Sequence, residues 1–275
     1  MGPSHSRPAP RRLAQITGRT VSPLGARDAV CERHGPYRSD GWLLCGVREC
    51  WRPCPACSRE AEQREEAEAA RQRVEARRRR LERAIQRAAI PPRFTDRTFE
   101  GYRVMSDAQR RALQAARAYA ADFAAHRKAG KGLVFVGSTG TGKSHLACAI
   151  LRAVVLQGFA GLYITALELI RMVRSTWRHR GDMTEQDAFA ELESVDLLVI
   201  DEVGMQYGTE GEQVLVGEVL DRRYRLLAPT VVLTNQTPAG LAAYIGDRPF
   251  DRLREDSQWI VCDWESYRRR PGVGK

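Results

Sequence analysis

The sequence predicts an α/β fold in which helices cover a parallel β-sheet. Residues 132–136 form a short apolar run typical of a buried strand, and a glycine-rich loop and a helical stretch follow directly. Strands and helices then alternate, with strands at 161–164, 196–203 and 230–234 and helices at 167–178 and 212–227. Alternation of this kind is typical of a parallel sheet packed between helices.

The loop after the first strand matches the phosphate-binding pattern G-x-x-x-x-G-K-[ST] at every fixed position. Glycines let the backbone approach a phosphate chain, and the loop N–H groups and the helix N-terminus point at the anion. We expect Lys143 to reach the β- and γ-phosphates of ATP and the Ser144 hydroxyl to help hold Mg²⁺. The predicted nucleotide contacts are Gly137, Ser138, Thr139, Gly140, Thr141, Gly142, Lys143, Ser144 and His145.

Two carboxylates follow the apolar strand at 197–200. In an open α/β sheet, ligands bind beyond the carboxyl ends of the strands, where the phosphate loop also lies. Asp201 is therefore expected to hold Mg²⁺, and Glu202 to activate the water that attacks the γ-phosphate. Asn235, or alternatively Thr234, ends the next strand and is expected to bind that water or the γ-phosphate.

Arginines far downstream of the loop supply a further candidate. Arg248 and Arg252 lie in an arginine-rich segment at 246–254. An arginine from a neighbouring subunit can stabilise a transferring phosphoryl group. The alternative is that these arginines pair on the surface with the acidic residues around them, which are Asp247, Asp251 and Glu255.

The charge of the chain is concentrated near its N-terminus. Of the formal net charge of +10, residues 1–90 carry a surplus of 8, from 19 arginines and 11 acidic residues. Such a basic region indicates either an anionic partner such as nucleic acid or a solubilising tail. We find neither an apolar run of about 18 residues, as a membrane span requires, nor a secretory signal, so we expect a cytoplasmic protein.

Five of the seven cysteines lie within residues 31–57. The pairs Cys31-x-x-His34 and Cys54-x-x-Cys57 have the spacing from which tetrahedral zinc sites are built. Cys45 and Cys50 lie between the pairs and are alternative ligands. Four protein ligands leave no open position, so a structural zinc ion is predicted, and its binding would supply the folding energy of this segment.

These observations divide the chain into four parts. We predict a flexible basic tail at 1–28, a zinc-binding segment at 29–60, a connector helix at 61–89 and a nucleotide-binding domain at 90–275. The connector has a narrow stripe of small apolar residues, typical either of a solvated helix or of one that docks on a partner protein. The run Ile90-Pro91-Pro92 breaks the helix and marks the last boundary.

The motifs GSTGTGKS, LLVIDE, VVLTNQ and GDRPFDRLRED, in this order, resemble those of the AAA+ ATPases of the DnaC/IstB group. The resemblance covers residues 90–268, and the zinc-like segment resembles those of phage and prophage DnaC-like proteins. It implies an ATP-bridged oligomer that loads a DnaB-type replicative helicase, bound through the N-terminal region, onto single-stranded DNA. A transposition helper ATPase of the IstB type is the alternative, and a metabolic P-loop kinase would not need the downstream arginines.

The resemblance also implies roles for individual residues. Asp201 and Glu202 match the Walker B pair, Asn235 matches sensor 1, and Arg252, with Arg248 second, matches the arginine finger. The helix at 167–178 matches the region that faces the DNA channel, with a solvated basic face as the alternative. Its expected DNA contacts are Arg171, Arg174, Ser175, Trp177 and Arg178.

Overall fold

The computed structural model describes residues 21–177, 184–205 and 210–267, apart from the side chains of Arg77, Glu210 and Glu212. The chain forms two compact units that divide between Arg78 and Arg79. Among the described residues, no helix is both long and apolar enough to cross a membrane.

The first unit contains an antiparallel sheet of three strands, β1 (Val21–Cys31), β2 (Gly35–Leu44) and β3 (Arg48–Trp51), in that order. Helix α1 (Pro55–Arg87) follows. The predicted flexible tail at 1–28 is wrong from Val21 onward. Residues from Val21 belong to β1, which pairs with β2 from Val21 opposite Leu44 to Cys31 opposite Gly35. Most of β1 is exposed on both faces, so no apolar alternation indicated a strand.

The second unit begins within α1, before the boundary predicted at residue 90. Ala84 and Ile85 pack against the core of this unit, and Ala88 is fully buried in it. The predicted boundary is therefore too late, because the apolar residues at the C-terminal end of the connector belong to the second core. Val74, earlier in the same stripe, is 70% exposed.

The second unit is an α/β domain built on a sheet of five parallel strands, in the order β5-β6-β7-β4-β8. After α1, its strands and α-helices are, in chain order, α2 (Asp107–Ala121), α3 (Phe123–Ala129), β4 (Gly132–Gly137), α4 (Lys143–Leu156), β5 (Gly161–Thr165), α5 (Ala166–Thr176), α6 (Glu185–Ser194), β6 (Leu197–Val203), α7 (Glu210–Arg225), β7 (Thr230–Thr234), α8 (Pro238–Ile245), α9 (Asp247–Asp256) and β8 (Ser257–Cys262).

Apolar side chains of the strands alternate between the two faces of this sheet. Leu133 and Phe135 of β4 join the cluster formed with α2 and α4, whereas Val134 and Val136 join the cluster formed with α5 to α9. Burial on both faces explains the continuous apolar runs of these strands. Because the strands are parallel, the carboxyl ends of β4, β6 and β7 meet at one edge, and the predicted α/β class is confirmed.

Candidate functional site

The phosphate loop connects the buried strand β4 to helix α4, and its shape depends on glycine. Gly140 and Gly142 have φ angles of 82° and 93°, in the left-handed region that side chains other than glycine rarely adopt. A Cβ atom at Gly142 would lie 2.8 Å from the ring of Tyr102. The backbone therefore turns tightly enough to present its N–H groups to an anion at the N-terminus of α4.

The Lys143 ammonium group lies inside this loop. Its Nζ atom donates to the carbonyl oxygens of Gly137 and Ser138, both at 2.7 Å, and the residue is 7% exposed. Gly137 and Ser138 thus contribute carbonyl oxygens that hold the lysine. This position puts a positive charge at the centre of the cradle, as phosphate binding requires.

Asp201 lies opposite the loop at the end of β6 and receives three hydrogen bonds. The Ser144 hydroxyl donates to its Oδ2 atom at 2.7 Å, the Tyr163 hydroxyl donates to the same atom, and the Glu202 N–H donates to Oδ1 at 2.7 Å. A hydroxyl and a carboxylate oxygen converge beside the phosphate loop, and these are the hard oxygen ligands that Mg²⁺ takes in NTPase sites.

Glu202 leaves the regular path of β6. The pairing of β6 with β7 shifts register between Ile200 and Val203, and Glu202 has a φ of 60°. A bulge of this kind places one extra residue in a strand and re-aims its side chain. The Glu202 side chain is exposed, and the residue lines a cavity that the phosphate loop also lines.

A cavity of about 580 Å³ joins the predicted parts of the site. Thr139 to His145 of the loop, Asp201, Glu202 and Asn235 all line it. The Asn235 amide donates to the Met205 sulfur at 3.4 Å, which links the ends of β7 and β6. The cavity thus brings together residues that lie up to 92 positions apart in the sequence, namely Lys143, Ser144, Asp201, Glu202 and Asn235.

His145 also turns toward the segment that leads into the domain. Its Nε2 atom lies 2.8 Å from the Thr98 carbonyl oxygen, and its ring meets the ring of Tyr102 edge-on, with 5.3 Å between centroids. Burial lowers the pKa of His145, which favours the neutral ring. This residue therefore anchors the lead-in segment (residues 90–102) beside the loop, in addition to lining the cavity.

Sequence reasoning missed two chain segments that complete the cavity. The lead-in segment is not among the predicted site residues, but Phe94, Arg97 and Tyr102 line the cavity. On the other side of the loop, the Trp264 indole donates to the Thr141 carbonyl oxygen at 2.8 Å, and the Tyr267 N–H donates to the Gly140 carbonyl oxygen at 2.9 Å. In the lead-in segment, the signal available in the sequence is the pattern Arg-Phe-x-x-x-x-Phe-x-x-Tyr from Arg93 to Tyr102.

The two candidate finger arginines, Arg248 and Arg252, lie on α9. Neither belongs to the described residues that line the cavity. Arg252 forms an ion pair with Asp221 of α7 and lies over the ring of Tyr224 at 4.5 Å. Arg248 is 73% exposed in its side chain and approaches the same carboxylate at 3.6 Å. The acidic partner is therefore Asp221, and not the neighbouring acids Asp247, Asp251 or Glu255 that the sequence offered.

The predicted DNA-contacting residues lie on α5 and just beyond it. Arg171 and Ser175 are exposed and Arg174 is half-buried. Trp177 is 50% exposed, and its indole donates to Glu185 at 2.6 Å. Arg178 lies outside the described residues.

In the first unit, the side chains of Cys31, His34, Cys54 and Cys57 converge, with all four donor atoms within 4.8 Å of one another. The Cys31 and Cys57 sulfurs are 3.5 Å apart, and the His34 Nδ1 atom lies 3.7, 3.7 and 3.3 Å from the three sulfurs. Tetrahedral zinc with ordinary bond lengths would separate such donors by about 3.6–3.8 Å. Three thiols and one imidazole at this spacing fit zinc.

The surroundings of this cluster also suit a metal. The His34 Nε2 atom faces Glu60 Oε1 at 3.1 Å, an arrangement that orients a ligating imidazole. The Arg33 backbone N–H and the His34 ring lower the pKa of the Cys31 thiol to about 6, and the thiolate is the form that binds metal. Cys45 and Cys50 do not belong to this group of converging ligands.

Comparison with known proteins identifies the family of this chain. The IstB-like ATP binding protein family matches residues 61–272. The replicative helicase loader DnaC of Escherichia coli strain K12 is 37% identical over 191 residues, which cover 69% of this chain and 76% of that protein. The loader DnaC of Buchnera aphidicola, strain APS from Acyrthosiphon pisum, is 34% identical over 190 residues, with the same coverage of 69% and 76%.

Solved structures share the architecture. A crystal structure of the DnaC helicase loader superposes with a TM-score of 0.57 at 26% identity and covers 62% of this chain and 99% of that chain. A replication initiator DnaA bound to AMPPCP and single-stranded DNA has the same fold, with a TM-score of 0.54 at 20% identity and coverage of 64% and 51%. The chain belongs to the IstB-like ATP-binding family and is an AAA+ ATPase of the DnaC/IstB group.

Proposed function

We propose that this chain loads a DnaB-type replicative helicase onto single-stranded DNA, using ATP binding and hydrolysis. The observation that carries the proposal is the 37% identity to DnaC over 191 residues, a span long enough to include most of the ATPase domain. The transposition-helper alternative shares the ATPase core, and its partner would be a transposase. We further propose that the protein is cytoplasmic.

The geometry of the ATPase site supports a separate role for each of its residues. Lys143 binds the phosphate chain, and Ser144 and Asp201 hold Mg²⁺. When bound, Mg²⁺ neutralises charge on the phosphate oxygens. Glu202 accepts a proton from the attacking water, and the Asn235 amide orients that water or the γ-phosphate. The exposed position of Glu202 at the cavity supports this role because a general base must reach its proton directly or through one water.

The Cys31, His34, Cys54 and Cys57 cluster supports a structural zinc site in the N-terminal unit. Three sulfurs and one nitrogen complete a tetrahedral set and leave no position for a substrate. We propose that zinc holds this unit in shape and that the unit, together with the exposed part of α1, binds the helicase. A folded module followed by a long exposed helix suits a dedicated protein contact.

Contacts with DNA and with further copies of the chain complete the proposal. Arg171, Arg174, Ser175, Trp177 and Arg178 are proposed to bind the single strand, since an exposed aromatic ring among arginines can stack a base beside the phosphate backbone. Arg252, or in its place Arg248, is proposed to reach the ATP of a neighbouring subunit. Their position outside the cavity of their own chain supports action between subunits.

A loading assay tests the function with the full-length protein. A DnaB-type helicase would be offered a forked DNA whose single strands are coated with a single-stranded-DNA-binding protein. We expect unwinding to require both this chain and ATP. The variant Lys143→Ala should fail to load because it does not bind ATP, whereas Lys128→Ala, which removes an exposed lysine of α3, should load normally. No effect on helicase loading, together with stimulation of a transposase, would establish the alternative.

A further inference from the structure

One side chain at the ATPase site has no role in the motifs described so far. Tyr163 lies in β5, the strand at one edge of the five-stranded sheet, and is only 5% exposed. Its neighbours in the core cluster are apolar, among them Leu197 and Val199 of β6. Its hydroxyl nevertheless has a specific partner, since it donates to Oδ2 of Asp201.

The strand register explains how the hydroxyl reaches Asp201. In the parallel pairing of β5 with β6, Tyr163 lies opposite Val199 and Thr165 lies opposite Asp201. Side chains two residues apart in a strand share a face of the sheet, and a long side chain can reach the diagonal neighbour on the next strand. A tyrosine two positions before the partner of Asp201 is therefore placed to bond to its carboxylate.

Contacts from other parts of the domain hold Tyr163 in place. Its N–H donates to the Ala88 carbonyl oxygen at 2.8 Å, which attaches the outer side of β5 to the end of the connector. Its ring packs beside Phe94, with the centroids 6.5 Å apart. A tyrosine hydroxyl is protonated at neutral pH and a carboxylate only accepts, so the hydroxyl is the donor in its bond to Asp201.

We propose that Tyr163 is a positioning residue for Mg²⁺ binding, which fixes the orientation of the Asp201 carboxylate and connects it to the lead-in segment. Ser144 and Tyr163 both donate to Oδ2, so two hydroxyl groups hold the same carboxylate oxygen. Hydrogen bonds to a ligating carboxylate are worth about 10–100-fold in metal affinity in comparable sites. The inference rests on the proposed ATPase mechanism and concerns the metal step alone.

The test uses the full-length variant Tyr163→Phe, which removes the hydroxyl and keeps the ring. We expect the Mg²⁺ concentration for half-maximal ATP hydrolysis to rise by about 10-fold. Binding of a fluorescent ATP analogue in EDTA should be unchanged, while its strengthening by Mg²⁺ should be reduced. Loss of a merely structural contact would instead weaken binding with and without metal.

Two controls separate the possible outcomes. Tyr119→Phe removes another buried hydroxyl, which donates to the Lys131 carbonyl oxygen at 2.9 Å away from the nucleotide, and should leave the Mg²⁺ dependence unchanged. In an Asp201→Asn background, Tyr163→Phe should cause no further loss of Mg²⁺-dependent nucleotide binding, because coupled residues are non-additive. An unchanged Mg²⁺ requirement in Tyr163→Phe overturns the inference, whereas a wild-type chain that hydrolyses no ATP overturns the proposed mechanism instead.

Discussion

Glu202 illustrates how a single residue is set apart for chemistry. Every other residue of β6 up to Val203 is buried, whereas Glu202 is exposed. Its left-handed backbone, with a φ of 60°, is uncommon for a residue other than glycine and is found repeatedly at functional sites. The neighbouring Asp201 accepts the Glu202 N–H, so the carboxylate proposed to hold the metal also holds the backbone of the proposed base.

Replacing this base should separate ATP binding from hydrolysis. In Glu202→Gln, the side chain keeps its size but does not accept a proton, so we expect hydrolysis to fall by about 10²–10⁴-fold. ATP affinity should stay within a few-fold of wild type, as measured by equilibrium binding. Glu191→Gln, at an exposed position of α6, serves as the control. A Glu202→Gln enzyme of normal turnover would assign the base to another residue.

At the scale of elements, the N-terminal unit consists of a small sheet and a helix joined at the metal cluster. Cys31 ends β1 and His34 lies in the turn before β2. Cys54 immediately precedes α1, and Cys57 lies in its first turn. Little of this sheet is buried, apart from Ser39 and Gly41 of β2. A metal bond between the turn and the helix would therefore contribute a large share of the stability of the unit.

Metal analysis should find one zinc ion per chain. Replacing Cys54 and Cys57 together by serine should release it, because two of the four ligands are lost, and the amides of β1 and β2 should lose protection from hydrogen exchange. The ATPase domain should keep its nucleotide affinity. Cys45→Ser is the matched control and should retain the metal. Zinc that persists in the double variant would exclude the proposed ligand set.

At the scale of the whole molecule, the positions of α9 and the cavity bear on assembly. Arg252 is held on its own chain by Asp221 and the ring of Tyr224. An arginine that acts on the ATP of a neighbour would exchange this pair for phosphate oxygens when subunits meet. The ion pair with Asp221 is thus expected to hold the arginine ready in the free subunit.

Mixing two inactive variants tests this arrangement. Arg252→Ala should still bind ATP. If the arginine is a finger, the rate of ATP hydrolysis by this variant should be about 10³–10⁵-fold lower than that of wild type. Adding Lys143→Ala subunits should restore part of the activity, because they supply an intact Arg252 to the intact phosphate loop of the other variant. Arg225→Ala, which removes a second partner of Asp221 at 3.3 Å, should remain active.

An absence of rescue on mixing would place the role of Arg252 within its own subunit. The same experiment with Arg248→Ala distinguishes the second candidate. Its 73% exposed side chain leaves it free to contact another chain without breaking a close ion pair. If mixing with Lys143→Ala subunits restores activity to Arg248→Ala but not to Arg252→Ala, the arginine finger is Arg248.

The parts of the site predicted from the sequence are those in which the chemistry lies within a few consecutive residues. The phosphate loop and Asn235 follow buried strands, and the Asp201-Glu202 pair lies near the end of another. Local spacing indicates both the strand and the polar residues at its end. The pairs Cys31-x-x-His34 and Cys54-x-x-Cys57 were predictable for the same reason. The sequence did not predict the strand β1, the extent of the second unit or the partner of Arg252, because contacts between residues distant in sequence decide them.

The sequence by itself determined the fold class and the family, and it predicted the nucleotide and metal ligands, since each of these depends on a short pattern of residue types. Tertiary structure alone decided that β4 and β6 lie on either side of β7, so that Ser144 meets Asp201. It also decided that Tyr163, an apparently ordinary core residue of a strand, bonds to the same carboxylate. The physical reason is that a hydrogen bond depends on positions within a few tenths of an ångström, and strand order and register set those positions.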